Sequence, residues 1–398
     1  MTTTSSSPNS GPALRTRGAL VTVYLAVFID LFGFGILLPA LPYYAQKLGA
    51  SGLTLGILFS SYSIAQLLGA AALGRLSDRF GRRPVMIASL AGSAVSFGLC
   101  ALASTLPMLA GARALAGLFG GSIAAAQAVI ADVTHPEERA KYMGFLGASI
   151  GLGFVAGPAV GALLAPWGFG AAAWAAAGLA LVNLVLAAAL LRETRHPDSD
   201  AARRFRFDLL LDALERKPLN RYLAATFLNT FAFLALEVTL AFLVAKRFAL
   251  HERGFGSIMV FVGVLIIIGQ GGLVGPLTRR FGEVKLAGWS CAGLTFALLA
   301  IPSMPTLPLL LVALAAAALT QSLASPSLAA LLSRASGADE QGGVLGLGQS
   351  LSALARAIGP AIAGALWDLG AMWPYAVAAA VAAVAAGTIG FRRQRANP

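Results

Sequence analysis

Four ionisable side chains stand inside runs otherwise too apolar to tolerate them: Asp30, Arg113, Glu237 and Arg356. An ionised group alone in a bilayer core costs about 2.5–3.5 kcal/mol on insertion scales, so each must face a cavity, find a partner or give up its charge. A carboxyl that gives up its charge does so by taking a proton, which makes an intramembrane acid a proton-binding site. One permanently paired with a guanidinium is structural instead. Asp30 lies ~17 Å along the first apolar run, and Arg113 ~10 Å from the opposite end of the fourth, so across a ~30 Å core their depths nearly coincide. Glu237 and Arg356 share a depth in the seventh and eleventh runs in the same way. For Asp30 the readings are a proton-coupling acid for which Arg113 competes, or a fixed pair with it. For Glu237 they are a second protonation site, a carboxylate that meets a cationic ligand, or an inert pair with Arg356.

Other polar groups accompany these four. Asn229, Phe233 and Glu237 recur at i, i+4, i+8 and so share a helix face, as Gln349 and Arg356 do at i, i+7. Gln66, Gln270 and Gln321 either line a cavity or hydrogen-bond neighbouring helices. Phe28, Phe32, Phe34 and Tyr62 either shape an apolar pocket or pack. The sequence has no nucleophile beside a base, no histidine pair and no GxxxxGK[ST] loop, so no catalytic residue and no cofactor are expected. Cys100 and Cys291 lie in apolar runs without metal-ligand spacing and are read as packing residues.

The elements that must position these groups follow from composition. The chain has 398 residues, 58% hydrophobic and 12% charged, with mean hydropathy +0.78. A soluble domain carries about twice that charge, whereas the apolar content here suffices for about twelve spans of ~20 residues. The punctuation predicts spans near 19–40, 52–73, 85–103, 106–131, 142–165, 171–191, 222–245, 254–275, 285–302, 307–331, 342–366 and 372–390. The expected fold is thus an all-α polytopic membrane protein. A polar, disordered tail occupies 1–18, a six-helix bundle 19–191, a linker 192–221, a second bundle 222–391 and a short tail 392–398. The first span is expected to stay in place as no cleavable signal. Part of the linker, FDLLLDALER, has helical periodicity suited to a membrane surface.

The net charge of +12 is an orientation signal. Of 29 Lys and Arg, 23 fall in loops on the side of the N-terminus and only 4 on the opposite side, which places both termini in the cytoplasm. The cations sit in short loops without interleaved aromatics, so no nucleic-acid partner is expected. Membrane lipid, protons and a small molecule are the expected partners, and a monomer is the expected working unit.

Between the second and third runs lies GRLSDRFGRRP, residues 74–84, and a weaker copy, GPLTRRFGE, follows at 275–283. At an offset of 201, Gly74, Leu76, Phe80 and Gly81 meet Gly275, Leu277, Phe281 and Gly282, and TLP at 105–107 meets TLP at 306–308. GPAVG at 157–161 meets GPAIAG at 359–364 one residue out of that register. The chain therefore reads as a duplicated six-span unit with parallel halves. Gly74 would let the second span approach a neighbouring helix. Arg79 and Arg82 can bridge to acids of the next loop such as Asp132 or Glu138, near Arg139. The hinge is then a gate latch or a topology anchor, and the second copy, with Arg279 where the first has Asp78, is incomplete. Gly153, Gly157 and Gly161 repeat at four-residue spacing on one face of the fifth span, beside Pro158, which removes a backbone bond and bends the helix.

Taken together, the six-plus-six pattern and GRLSDRFGRRP resemble the major facilitator superfamily. DLFGFGILLPALP around Asp30, RALAGLFGG beginning at Arg113, and residues 130–161 resemble its drug:proton antiporter branch, near the tetracycline-type exporters. The resemblance implies a proton-coupled exporter of amphipathic, drug-like molecules in a bacterial-type inner membrane, working by alternating access. It implies that Asp78 sits at a helix N-terminus of the opposite half, with Gly81, Arg82 and Arg83 completing the gate. It also implies that the bend at Pro158 biases the carrier toward export. The runner-up is a metabolite, sugar-like or lysolipid carrier on the same frame; a non-transporting membrane sensor fits less well. Ser96, Ile266 and Leu294 stand where tetracycline exporters carry an acid, a histidine and an acid, which argues against tetracycline itself.

Overall fold

The computed structural model describes residues 12–135, 138–191, 193, 215–337 and 340–389. Residues 1–11 of the expected tail 1–18, the expected tail 392–398 with the last two residues of the bundle before it, and most of the 192–221 linker with residues 207–214 of its surface helix lie outside the described residues.

Long apolar runs without internal charge satisfy their own backbone as helices, the open-ended structure a bilayer tolerates. The first half comprises α1 (Pro12–Leu37), a short α2 (Leu41–Lys47), α3 (Gly52–Phe80), α4 (Arg82–Leu102), α5 (Leu106–Phe119), α6 (Ser122–Val133), α7 (Arg139–Leu164) and α8 (Gly168–Leu190). The second comprises α9 (Leu219–Phe248), α10 (Glu252–Ile268), α11 (Val274–Phe281), α12 (Glu283–Ala300), α13 (Leu307–Ala335), α14 (Gln341–Leu369) and α15 (Trp373–Ile389). Ten segments are long and apolar enough to cross a membrane. One of them, Lys141–Leu190, is the pair α7 and α8 folded back at a 3₁₀ turn, and the 17-residue Trp373–Ile389 is a further, shorter apolar helix. That gives the twelve crossings. Residues 12–18, expected in the polar tail, are already helical, with Pro12 at the first position, where its missing N–H costs nothing.

Starts and stops are locally encoded. The Ser51 hydroxyl accepts from the Thr54 amide (3.2 Å) and the Thr105 hydroxyl from Met108 (3.4 Å), capping α3 and α5. Gly81 and Gly282 end α3 and α11 at φ +103° and +78°, a region that favours glycine, and each donates its amide back to the preceding turn. The two hinge copies therefore share one backbone shape.

Packing repeats the duplication. In the first half α1 packs on α7, α3 on α5 and α4 on α8; their counterparts α9 on α14, α10 on α13 and α12 on α15 do the same in the second. The halves meet along α3 with α14 and α7 with α10. The outer surface keeps large apolar side chains such as Val185, Phe296 and Val312 more than half exposed, as a lipid-facing wall requires. Inside, the Asn183 side-chain amide donates to the Ala26 carbonyl (2.8 Å), tying α8 to α1 with a hydrogen bond that hydropathy does not reveal.

Candidate functional site

The two faces of the molecule differ. On the face opposite the start of α1, which we term the distal face, the halves are stitched together. The Asp368 carboxylate at the end of α14 accepts from the first amides of α3, Gly52 (2.7 Å) and Leu53 (2.9 Å). Lys47 pairs with Glu252 (3.4 Å), and the Tyr43 hydroxyl donates to the Leu250 carbonyl (3.1 Å). Gly56 lies against the backbone of Pro360 and Ala361, where a Cβ would overlap, and a Cβ at Gly256 would stand 2.5 Å from that of Ala162. On the terminal face, where α1 begins, nothing lies within 4 Å of a Cβ position at Gly74, Gly147, Gly151, Gly271 or Gly346. Among the described residues, the hydrogen bonds and ion pair named above that join the two halves lie on the distal face. The cleft is closed distally and splayed toward the termini.

Asp30 sits in α1 with 9% of its surface accessible. Its Oδ2 accepts from the Ser122 hydroxyl at 2.5 Å, and Ser93 is its other hydrogen-bond neighbour. Ser122 gets there because the fourth span is broken: Gly120 and Gly121 interrupt it, so α6 restarts at Ser122 with the hydroxyl toward α1. The sequence reading missed both serines; the GG that closes RALAGLFGG was the available signal. Arg113 does not pair with Asp30. It is 1% exposed, with its guanidinium carbon 4.5 Å from the Tyr62 ring centroid and 5.0 Å from that of Phe34. Its Nε and Nη2 have no hydrogen-bond partner among the described residues. Gln66 donates to the Tyr62 hydroxyl (3.2 Å) and toward the Gly120 carbonyl (3.5 Å). Phe34, Tyr62, Gln66 and Arg113 thus form one group, while Phe32 pairs with Phe28 a turn back along α1 (5.7 Å).

In the second half, Asn229 donates to Gln321 (2.8 Å) and accepts from the Cys291 thiol (3.6 Å). Asn229 and Gln349 line a common cavity of about 60 Å³ with Thr226, Thr230 and Ser352. Glu237, two turns further along α9, and Arg356 are both half-buried, and neither forms an ion pair with a described residue. Phe233 packs between these two levels, against the core of the second bundle. Gln270 is exposed within a π-helical turn, Gly269–Leu273, that the sequence reading ran through as regular helix.

At the hinge the structure corrects two expectations. Gly74 approaches no neighbouring helix, and Asp78 does not cap a helix of the opposite half. The terminal ends are apart, so the bonds close within the first half. Arg82 reaches Asp78 (2.6 Å) and Asp132 (3.0 Å), which resolves the choice between Asp132 and Glu138. Arg79 lies over the Phe80 ring, Arg83 donates to the Ala188 carbonyl (2.8 Å) and Arg139 to Ala131 (2.8 Å). Glu193, absent from the sequence reading, accepts from the first amides of α4, Arg82 (2.8 Å) and Arg83 (3.2 Å), where a carboxylate complements the helix dipole. A Cβ at Gly81 would collide with that carboxylate.

The fifth-span glycines serve contact with α1. A Cβ at Gly35 would lie 2.9 Å from the Gly157 Cα and from the Pro158 Cδ, one at Gly153 2.9 Å from Leu31, and Gly161 abuts the Ile36 carbonyl. Ser96 is fully buried with its hydroxyl on the Gly92 carbonyl (2.6 Å), and Leu294 is fully buried in the core of the second bundle, so neither offers a polar group to the cleft.

Comparisons with known proteins agree with this architecture. The family model described as Major Facilitator Superfamily matches residues 23–305 and 272–398. The class C tetracycline resistance protein of Escherichia coli is 31% identical over 89% of this chain and 91% of its own. The crystal structure of the human organic anion transporter MFSD10 covers 94% of this chain and 99% of its own at 26% identity and TM-score 0.70. The structure of a bacterial homologue of the human lysosomal transporter Spinster, in an inward-facing and occupied conformation, shares the fold at TM-score 0.78 with 14% identity. With twelve crossings, a duplicated bundle and a family match spanning nearly its whole length, the chain belongs to the Major Facilitator Superfamily.

Proposed function

We propose that this transporter is a proton-coupled exporter of amphipathic small molecules, resident in a bacterial-type inner membrane with both termini cytoplasmic and working as a monomer. The terminal face is then the cytoplasmic one. The described conformation faces inward, the state in which an exporter loads. The observation that carries the reading is the setting of Asp30. A carboxyl locked to a guanidinium would keep its charge through the cycle. Asp30 instead meets the Ser122 hydroxyl, which donates to a carboxylate and accepts from a protonated carboxyl equally well. The group can therefore change protonation without losing its partner, and a change of charge at the α1–α6 contact biases one access state over the other. Glu237, half-buried and in no ion pair among the described residues, is the second candidate.

The test is Asp30→Asn in proteoliposomes with an internal pH dye. Substrate gradients drive proton movement in the wild type and fail to do so in the variant, while facilitated substrate exchange persists. Undiminished proton movement in the variant removes Asp30 from the coupling. A compound screen in an efflux-deficient bacterial host, comparing the two chains, identifies the substrates to use.

A further inference from the structure

A guanidinium donates hydrogen bonds in its own plane, so aromatic rings above and below cannot satisfy it. Arg113 shows this: Phe34 and Tyr62 cover it, yet Nε and Nη2 remain without acceptors in a side chain 1% exposed. Such donors call for an oxyanion, and Asp30, already held by Ser122, does not provide it. In the opposite half stands a second guanidinium, Arg356 of α14, and α9, which packs along α14, carries the carboxylate of Glu237. The position is telling. Gly56 of α3 abuts Pro360 and Ala361 of α14, so one turn toward the terminal face these antiparallel helices bring up Ser60 and Arg356 at the inner edge of the distal closure. The Ser60 hydroxyl is buried there without a partner. The inner edge of the distal closure therefore carries guanidiniums from opposite halves, Arg356 partly exposed and Arg113 buried behind Phe34 and Tyr62, with the Phe34–Phe154 ring pair (6.0 Å) as an apolar wall. The Tyr62 hydroxyl, accepting from Gln66, keeps its own proton for a further acceptor.

We infer that Arg113 and Arg356, with the Tyr62 hydroxyl, form a receptor for the carboxylate of a singly anionic amphipathic substrate, and that Glu237 is the internal carboxylate which competes for the same guanidiniums. The inference rests on the transport reading above and names the substrate class of that site. Because the arginines come from different halves, an anion bridging them holds the halves at the distal closure. Glu237, in no ion pair with a described residue, stays available to the guanidiniums and so weakens their hold on the anion.

The experiment compares three probes of one shape, 2-naphthylacetate, its methyl ester and 2-naphthylethylammonium, binding by calorimetry to the full chain in nanodiscs. Naphthylacetate binds roughly tenfold tighter than the ester or the ammonium, and Arg356→Gln abolishes that preference, as loss of a charged hydrogen bond requires. Glu237→Gln strengthens naphthylacetate binding several-fold, a direction that general damage to the fold does not produce. A preference for the ammonium form, equal binding of all three, no saturable binding of any, or no gain in Glu237→Gln overturns the inference. Proton movement in the Asp30→Asn variant is read separately, so the coupling mechanism can fail while the anion site stands, and the reverse.

Discussion

The distal and terminal faces use similar chemistry to opposite effect. On each, a carboxylate caps the start of a helix: Asp368 caps α3, and Glu193 caps α4. Asp368 reaches across from the other half, whereas Glu193 stands just past the end of α8, at the start of the linker, and caps a helix of the adjoining bundle. One bond therefore records which face is closed, and the other holds a bundle's shape whichever face is closed. The same split runs through the cations. Lys47 pairs across the halves, while Arg82 spends both of its carboxylate partners inside the first bundle. A gating bond in this fold is recognised by the halves it joins, since the residue types are the same in both roles.

This contrast can be broken most severely at Gly56. Gly56→Leu places a side chain where the Pro360 and Ala361 backbone leaves no room, so the distal face cannot close. Transport falls more than about tenfold, and a cysteine in place of Ser60, buried beneath the closure, becomes labelled by an impermeant thiol reagent. Asp368→Ala comes next. It removes two charge-assisted bonds that water partly replaces, a net loss of about 1.4 kcal/mol, and shifts the population toward a distally open state by about an order of magnitude, read by spin-label distances across that face. Arg82→Ala sharpens the comparison from the other side. It lowers the melting temperature by a few degrees through loss of two ion pairs, yet leaves distal labelling at the wild-type level. Lys47→Ala has the smallest effect, below ~1 kcal/mol, because that lysine side chain is 69% exposed and its pair is screened. Equal distal labelling in Asp368→Ala and Arg82→Ala would erase the distinction drawn here.

Much of the fold was legible because it follows from strong, redundant signals. Twelve apolar runs, the offset of 201 and the glycine ends of both hinge copies all survive in the structure. So does the use of Gly153, Gly157 and Gly161 as a close-packing face, since four-residue spacing fixes the side of a helix on which residues lie. The candidate residues were legible in their depth along the spans and less so in their partnerships. Matching depths suggested Asp30 with Arg113, but depth says nothing of azimuth: Asp30 turns toward Ser122, while Arg113 turns into the Phe34 and Tyr62 rings. Serine hydroxyls in apolar runs, such as Ser93 and Ser122, leave little mark on hydropathy. The helix break that aims Ser122 is a backbone event at two glycines. Glu193 was hidden for a different reason, standing among the many charges of the linker, where only three-dimensional proximity marks it out.

The interruption at Gly120 and Gly121 makes the fourth crossing two rods with a joint instead of one. Asp30 holds the second rod through Ser122, and the first rod carries Arg113. Tightening or loosening a single hydroxyl contact can therefore pivot α6 against α5 without unwinding either. In the proposed cycle the Asp30 contact and the Arg113 group share this fulcrum, so a change at one is carried to the other by rigid bodies.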